Sequence, residues 1–87
     1  MLFLAEFYLP AASTLASVAS QVRACAEQAT GTGADIRFVE AIFLPQDESC
    51  FVLYQARCAA DVTAAGSASG LAFDRVTDAI ISRETSP

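Results

Sequence analysis

The sequence contains no histidine, no tryptophan and no lysine. Histidine is the commonest general base near neutral pH and the commonest transition-metal ligand, so its absence excludes a Ser-His-Asp or Cys-His centre within this chain. All five cations are arginines, and they are scattered along the chain at positions 23, 37, 57, 75 and 83. Because the net charge is −5 and no basic cluster exists, we expect no nucleic acid and no anionic membrane as a partner.

Cysteine is scarce and odd in number, and Cys25, Cys50 and Cys58 fit no zinc-binding spacing. If Cys50 and Cys58 lie on one strand, they are roughly 26 Å apart at about 3.3 Å per residue. That separation is too large for a disulfide or a shared metal ion. We therefore expect free cysteines that act as small buried hydrophobes in a reducing cytoplasm, with no metal and no cofactor.

Long hydrophobic runs are also missing. No run approaches the ~18 apolar residues of a membrane span, and Glu6 interrupts the apolar start before a signal-peptide core can form. Apolar residues nevertheless make up 54% of the 87-residue chain. A domain of this size has much surface, so we expect part of the apolar surface to be buried against a second copy in a twofold homodimer.

Segments rich in aromatic and β-branched residues alternate with segments of helical period. We predict strands at 2–9, 36–44, 50–56 and 73–82. The first helix should be capped by Ser13 or Thr14 and end at Gly31 and Gly33. The second should span 59–69, with a weak cap at Cys58 and Gly70 at its end.

The order β-α-β-β-α-β in so short a chain predicts the α+β class. We expect a ferredoxin-like sandwich, with a four-stranded antiparallel sheet and two helices on one face. Residues 1–83 form this single domain, and 84–87 form a frayed tail.

The alternation along the strands assigns side chains to two sheet faces, provided that Leu44 pairs with Cys50 across a five-residue turn. With this register the odd positions, such as Phe51 and Leu53, belong to the helix-packed core. The even positions share the other face, which is mostly apolar. A face exposed to water would be more polar, so this one predicts a dimer interface or a lined pocket, as in a dimeric α+β barrel.

Four polar residues fall on that second face and are the candidate ligand-binding residues: Glu6, Tyr8, Glu40 and Tyr54. Two carboxylates beside phenols in an apolar setting could have raised pKa values and could move protons. Alternatively, the glutamates pair with arginines or with tyrosines of the second copy and fix the register of the dimer.

Asp74 and Arg75 follow the turn at 70–73 and open the last predicted strand. They are candidates for the rim of a pocket, or they form an ordinary surface ion pair worth under about 1 kcal/mol. Asp47 and Glu48 are expected at a solvated hairpin tip.

Several short runs of the sequence resemble a known family in their order and spacing. They are EFYLP at 6–10, IRF at 36–38, FLP at 43–45, DESCF at 47–51 and GLAFDR at 70–75. The family comprises small bacterial domains of unknown function and includes a nickel-responsive protein of actinobacteria. The resemblance implies a ferredoxin-like fold, usual dimerisation and, for some members, nickel binding. Family metal sites use histidine, which this sequence does not contain, so we expect no nickel site here.

Three functions agree with these features. The first, which we expect, is a small dimeric binding or accessory protein that holds a small, partly apolar ligand on the sheet face. The second is a cofactor-independent enzyme, such as a monooxygenase or isomerase of the dimeric α+β barrel type, with Glu6 or Glu40 as acid or base. The third is a structural dimer module without a ligand.

Overall fold

The computed structural model describes residues 1–31 and 33–82. Its elements are β1 (Leu2–Tyr8), α1 (Leu15–Gly31), β2 (Ile36–Leu44), β3 (Ser49–Ala56), α2 (Ala59–Ala68) and β4 (Arg75–Ala79). The four strands form one antiparallel sheet in the order β2-β3-β1-β4, and residues of both helices pack on the same sheet face. The predicted ferredoxin-like sandwich is confirmed. The last strand is shorter than predicted, and the predicted tail lies outside the described residues.

The helix ends follow local chemistry. Thr14, one of the two predicted caps, accepts a hydrogen bond at its Oγ1 from the backbone N–H of Ser17 at 3.3 Å, which satisfies a donor that has no partner within the helix. Cys58 occupies the cap position of α2 without a side-chain bond, as predicted. After α2, Gly70 adopts φ 78°, a left-handed conformation that glycine takes without a Cβ penalty. Neither described helix has the length and apolarity needed to cross a membrane.

The core lies between the two helices and one face of the sheet, which we call the helix-packed face. Its buried strand residues are Phe3, Ala5, Phe7, Ile36, Cys50, Val52, Tyr54 and Ala56. Val22 of α1 and Val62 of α2 are the most deeply buried helix residues against it. The ring of Phe73 packs between two others, with its centroid 5.8 Å from that of Phe7 and 6.2 Å from that of Tyr54.

The register of the β2–β3 hairpin differs from the expected one. Leu44 pairs with Ser49 rather than Cys50, because the loop contains four residues: a 3₁₀ turn at Pro45–Asp47 and then Glu48 with φ 50°. A shift of one residue exchanges the two faces of β3. The expected core positions of Phe51 and Leu53, and the expected outer position of Tyr54, are therefore wrong.

A β-bulge at Val39 shifts the register of β2 a second time, between Phe38 and Glu40. An extra residue on one strand reverses the alternation beyond it. Phe38 therefore shares the helix-packed side with Tyr54, with ring centroids 6.4 Å apart, while Glu40 lies on the other side.

The cysteines are free, as expected, but they are not alike. Cys25 and Cys50 are buried in the core, whereas Cys58 is exposed at the start of α2. The expected burial is therefore wrong for Cys58. The reason is positional, because β3 ends at Ala56 and Cys58 lies beyond it.

Candidate functional site

The sheet face opposite the helices, here called the open face, carries apolar and polar side chains in similar numbers. The strand register assigns to it Leu2, Leu4, Glu6, Tyr8, Arg37, Glu40, Ile42, Leu44, Ser49, Phe51, Leu53, Gln55, Arg75, Thr77 and Ala79. Both described helices pack on the other side. The open face therefore carries more exposed apolar surface than folding alone requires, and no helix or strand of residues 1–31 and 33–82 lies over it.

A groove of about 190 Å³ runs over the open face. Its lining residues come from all four strands and from the segment after β4: Leu4, Glu40, Ile42, Phe51, Leu53, Ala79, Ile80 and Ile81. Leu53 at the centre of the sheet is only 4% exposed, whereas Ile42 is 49% and Ile80 is 99% exposed. The groove thus has an apolar floor, an apolar rim open to solvent, and one carboxylate.

Three of the four candidate residues lie on the open face. Glu6 and Tyr8 are on β1 and Glu40 is on β2, as expected. Tyr54 lies on the opposite side, where its hydroxyl donates a hydrogen bond to the carbonyl oxygen of Val22 at 3.0 Å. The expected grouping of all four on one face is therefore wrong, because the hairpin register places Tyr54 under α1.

Tyr54 is held in its neutral form by its surroundings. Desolvation by burial raises the pKa of its phenol above the ordinary value, and nearby Cys25 and Cys50 raise it further. Burial also raises the pKa of the Cys50 thiol. Such a protonated and hydrogen-bonded phenol stabilises the core and does not exchange protons with a ligand on the open face.

The two candidate carboxylates do not form a pair. Glu6 and Glu40 are on strands separated by β3, so two spacings of about 4.8 Å put their backbones roughly 10 Å apart. Glu6 lies between Phe51 and Arg75 in the strand register, and Glu40 lies opposite Leu53. Within residues 1–31 and 33–82, no three Cys, Asp or Glu side chains converge as metal ligands would.

Tyr8 contacts the hairpin loop. Its exposed hydroxyl donates to Oε2 of Glu48 at 3.4 Å, and the backbone N–H of Ala11 donates to the same oxygen at 2.9 Å. The N–H of Leu9 donates to the backbone oxygen of Glu48 at 2.9 Å. Glu48 lies in the hairpin loop, as expected, and in addition it connects this loop to the end of β1 through exposed hydrogen bonds.

Asp74 and Arg75 lie beside Glu6. The N–H of Asp74 donates to the backbone oxygen of Glu6 at 2.7 Å, and Arg75 opens β4 opposite Glu6 on the open face. The two do not form an ion pair with each other, since within the described part of the chain only Arg57 and Asp61 come within ion-pair distance, at 3.9 Å. Of the two rim candidates, only Arg75 projects onto the open face.

One polar pair on the open face was missed by the sequence reasoning. Arg37 donates from Nη2 to Oε1 of Gln55 at 3.0 Å, and the two residues oppose each other where β2 begins and β3 ends. A second groove, of about 820 Å³, lies at that end of the sheet and is lined by Thr30, Asp35, Arg37, Gln55 and Arg57 together with Met1, Ile36 and Ala56. Arg37 was treated as one of several scattered cations, and only the correct register identifies its partner.

The chain matches no family model, and no curated protein matches it in sequence. Among solved structures, it is similar to the crystal structure of SCO4226 from Streptomyces coelicolor A3(2). The TM-score is 0.79, and the alignment covers 95% of this chain and 100% of that one at 14% sequence identity. An identity this low supports the fold and transfers no residue role.

Proposed function

We propose that this protein is a small homodimeric binding protein whose open faces pack together and enclose a small, partly apolar ligand. The observation that carries the proposal is the groove of about 190 Å³ on the sheet face opposite the two helices. Ligand sites are usually concave and mostly apolar, with a few polar groups that orient the ligand. Here Glu40 lines the groove, and Glu6 and Tyr8 lie on the same face outside its lining.

A second copy of the chain fits the open face. Most of the exposed large hydrophobic residues lie on this face or directly after β4: Tyr8, Ile42, Leu44, Ile80 and Ile81. A contiguous exposed apolar surface marks an interaction site in a soluble domain. The same face carries two glutamates and two arginines, so a twofold-related copy can meet it with opposite charges.

The proposal includes membership of the bacterial family that the sequence resembles, but without nickel. That resemblance supports the dimer and the ferredoxin-like fold, and the similar structure from Streptomyces coelicolor supports the fold alone. Nickel binds well to imidazole nitrogen, and the sequence offers no histidine. The free thiols agree with a reducing, cytoplasmic setting.

Matched substitutions on the two sides of the sheet test the dimer. Ile42 on the open face is 49% exposed and Leu15 at the start of α1 is 45% exposed. Ile42→Glu should give a folded monomer, whereas Leu15→Glu should remain a dimer, because only the first introduces two like charges into the interface. Sedimentation equilibrium gives the mass, and circular dichroism checks the fold.

Ligand capacity is measured on the wild-type dimer with 1-hexanol as the probe. We expect saturable binding that Ile42→Glu weakens and Leu15→Glu does not. A monomeric wild type, or equal loss of the dimer in both variants, would contradict the proposed interface. A dimer that does not bind hexanol would leave the structural module as the function, and stoichiometric nickel in native mass spectra would overturn the metal-free assignment.

A further inference from the structure

The Arg37–Gln55 pair offers hydrogen-bond donors to a ligand bound on the open face. A guanidinium group only donates, so the Gln55 atom that faces Nη2 of Arg37 at 3.0 Å must be the amide oxygen. The Gln55 NH₂ group, with two donors, therefore points away from Arg37. The remaining guanidinium N–H groups and this amide together match a planar acceptor such as a carboxylate.

The charge at this end of the sheet favours a single negative charge. The groove of about 820 Å³ is lined by Arg37 and Arg57 but by only one carboxylate, Asp35. Arg57 lies 3.9 Å from Asp61, whereas Arg37 has no ion-pair partner among the described residues. The three charged side chains that line this groove, Arg37, Arg57 and Asp35, sum to one positive charge in a chain of net charge −5, which suits a monoanion better than a dianion.

The apolar groove begins next to this pair. Leu53 is two residues before Gln55 on the same face, which is a distance of about 6.6 Å along a strand, and Leu4 is opposite Leu53. Both leucines line the groove of about 190 Å³. At about 30 Å³ per water-sized volume, the groove holds a chain of roughly six heavy atoms.

The polarity of the two regions fixes the direction in which such a ligand binds. The groove over the leucines is lined mainly by apolar residues, whereas Arg37 and Arg57 line the groove at the other end. The negative charge of a ligand therefore belongs at the Arg37 end and its apolar part over the two leucines.

We propose that the ligand is a short-chain organic monocarboxylate, with its carboxylate bound by Arg37 and Gln55 and its chain in the groove over Leu53 and Leu4. This inference rests on the proposed function, since it names the ligand class of the same open face. It adds Arg37 and Gln55 to the residues that contact the ligand.

Three probes of equal chain length test the inference on the wild-type dimer at pH 7: hexanoate, 1-hexanol and hexylammonium. Hexanoate should bind about tenfold more tightly than hexanol, because hydrogen bonds from a guanidinium group to a carboxylate are stronger than those to an uncharged hydroxyl. Hexylammonium should bind most weakly, since its positive ammonium group would lie beside the positive guanidinium group of Arg37. Isothermal titration calorimetry measures all three affinities.

Arg37→Gln should remove the tenfold preference for hexanoate and leave hexanol binding unchanged. The matched control is Arg23→Gln, which removes the same charge on α1, where Arg23 lies 5.3 Å from the Phe38 ring centroid on the helix side. Its hexanoate affinity should stay at the wild-type value. Sedimentation equilibrium confirms that both variants remain dimers.

The outcomes separate the two proposals. Equal affinity for the three probes, or an equal loss of hexanoate binding in Arg37→Gln and Arg23→Gln, would overturn the carboxylate site and leave the proposed function standing. Binding of none of the probes to the wild type would overturn both.

Discussion

The two faces of this sheet differ in their polar content and in what covers them. On the helix-packed face, Val52 is fully buried, and the hydroxyl of Tyr54 donates to the Val22 carbonyl oxygen. Among the described residues, no buried side-chain polar atom lacks a hydrogen-bond partner. On the open face, Ile42 is half exposed and charged residues stand among hydrophobic ones. Folding of one chain therefore accounts for the apolar residues of the first face, whereas the exposed apolar residues of the second are the ones for which we propose an interface with a second copy.

The largest expected effect comes from placing the same charge on each face. Val52→Glu should prevent folding, because an unpaired carboxylate in the core costs several kcal/mol against a total stability of about 5–15 kcal/mol. Ile42→Glu should retain the fold, since its carboxylate reaches solvent in the monomer. Circular dichroism and urea unfolding compare the two variants.

A folded Val52→Glu variant with wild-type stability would show that the helix-packed face is not the core. An unfolded Ile42→Glu variant would contradict the comparison in another way. It would show that the single chain needs the open face for folding, so that the two faces would no longer differ in this respect.

A smaller loss of stability is expected when a methyl group is added where α2 packs closely on the helix-packed side. A Cβ atom added at Gly66 of α2 would lie 2.5 Å from Cε2 of Phe73, a ring that contacts Phe7 and Tyr54. Overpacking of this kind lowers the free energy of unfolding by about 1–3 kcal/mol. Alanine favours a helix more than glycine does, which offsets less than about 1 kcal/mol of that loss. Gly66→Ala should therefore lower the free energy of unfolding by about 2 kcal/mol in urea titrations.

Gly31→Ala is the matched control for that substitution. It lies at the end of α1, and a Cβ added there meets no atom within 4 Å. Its stability should equal or slightly exceed that of the wild type. If both alanine variants were equally stable, α2 would not approach the sheet as closely as the Phe73 distance indicates.

The fold could be predicted from the sequence because its signals are local. Periodicity located the two helices and four strands, and the order of the elements in a short chain left one common architecture. Thr14 as a cap and Gly70 as a helix end follow from backbone chemistry that neighbouring residues determine.

The candidate site could be predicted only in part, because it depends on pairing between strands. Glu6 and Tyr8 were placed correctly, since β1 has a regular alternation. Tyr54 was misplaced by one residue of loop length, and the bulge at Val39 has no signature in the sequence that we recognised. The Arg37–Gln55 pair depends on both features, so it was not found.

The smallest expected effect compares the two tyrosines, one on each face. Tyr54→Phe leaves the carbonyl oxygen of Val22 without its donor in the core and should cost about 1 kcal/mol. Tyr8→Phe removes only a long hydrogen bond of 3.4 Å at the surface and should cost much less. Urea unfolding at pH 7 measures both differences.

The pH dependence of the stability of Tyr54→Phe tests whether burial explains the larger effect at Tyr54. Burial raises the pKa of Tyr54 in the folded protein above the value of about 10 that a tyrosine has in an unfolded chain. Its contribution to stability is therefore fully present below pH ~10 and is lost as the pH rises further, because only the unfolded state releases the proton. The stability gap between wild type and Tyr54→Phe should stay constant from pH 7 to 9 and narrow above pH ~10. A gap that does not change up to pH 11 would mean that the Tyr54 hydroxyl reaches solvent, and the helix-packed face would then be less completely closed than its neighbours Val52 and Val22 indicate.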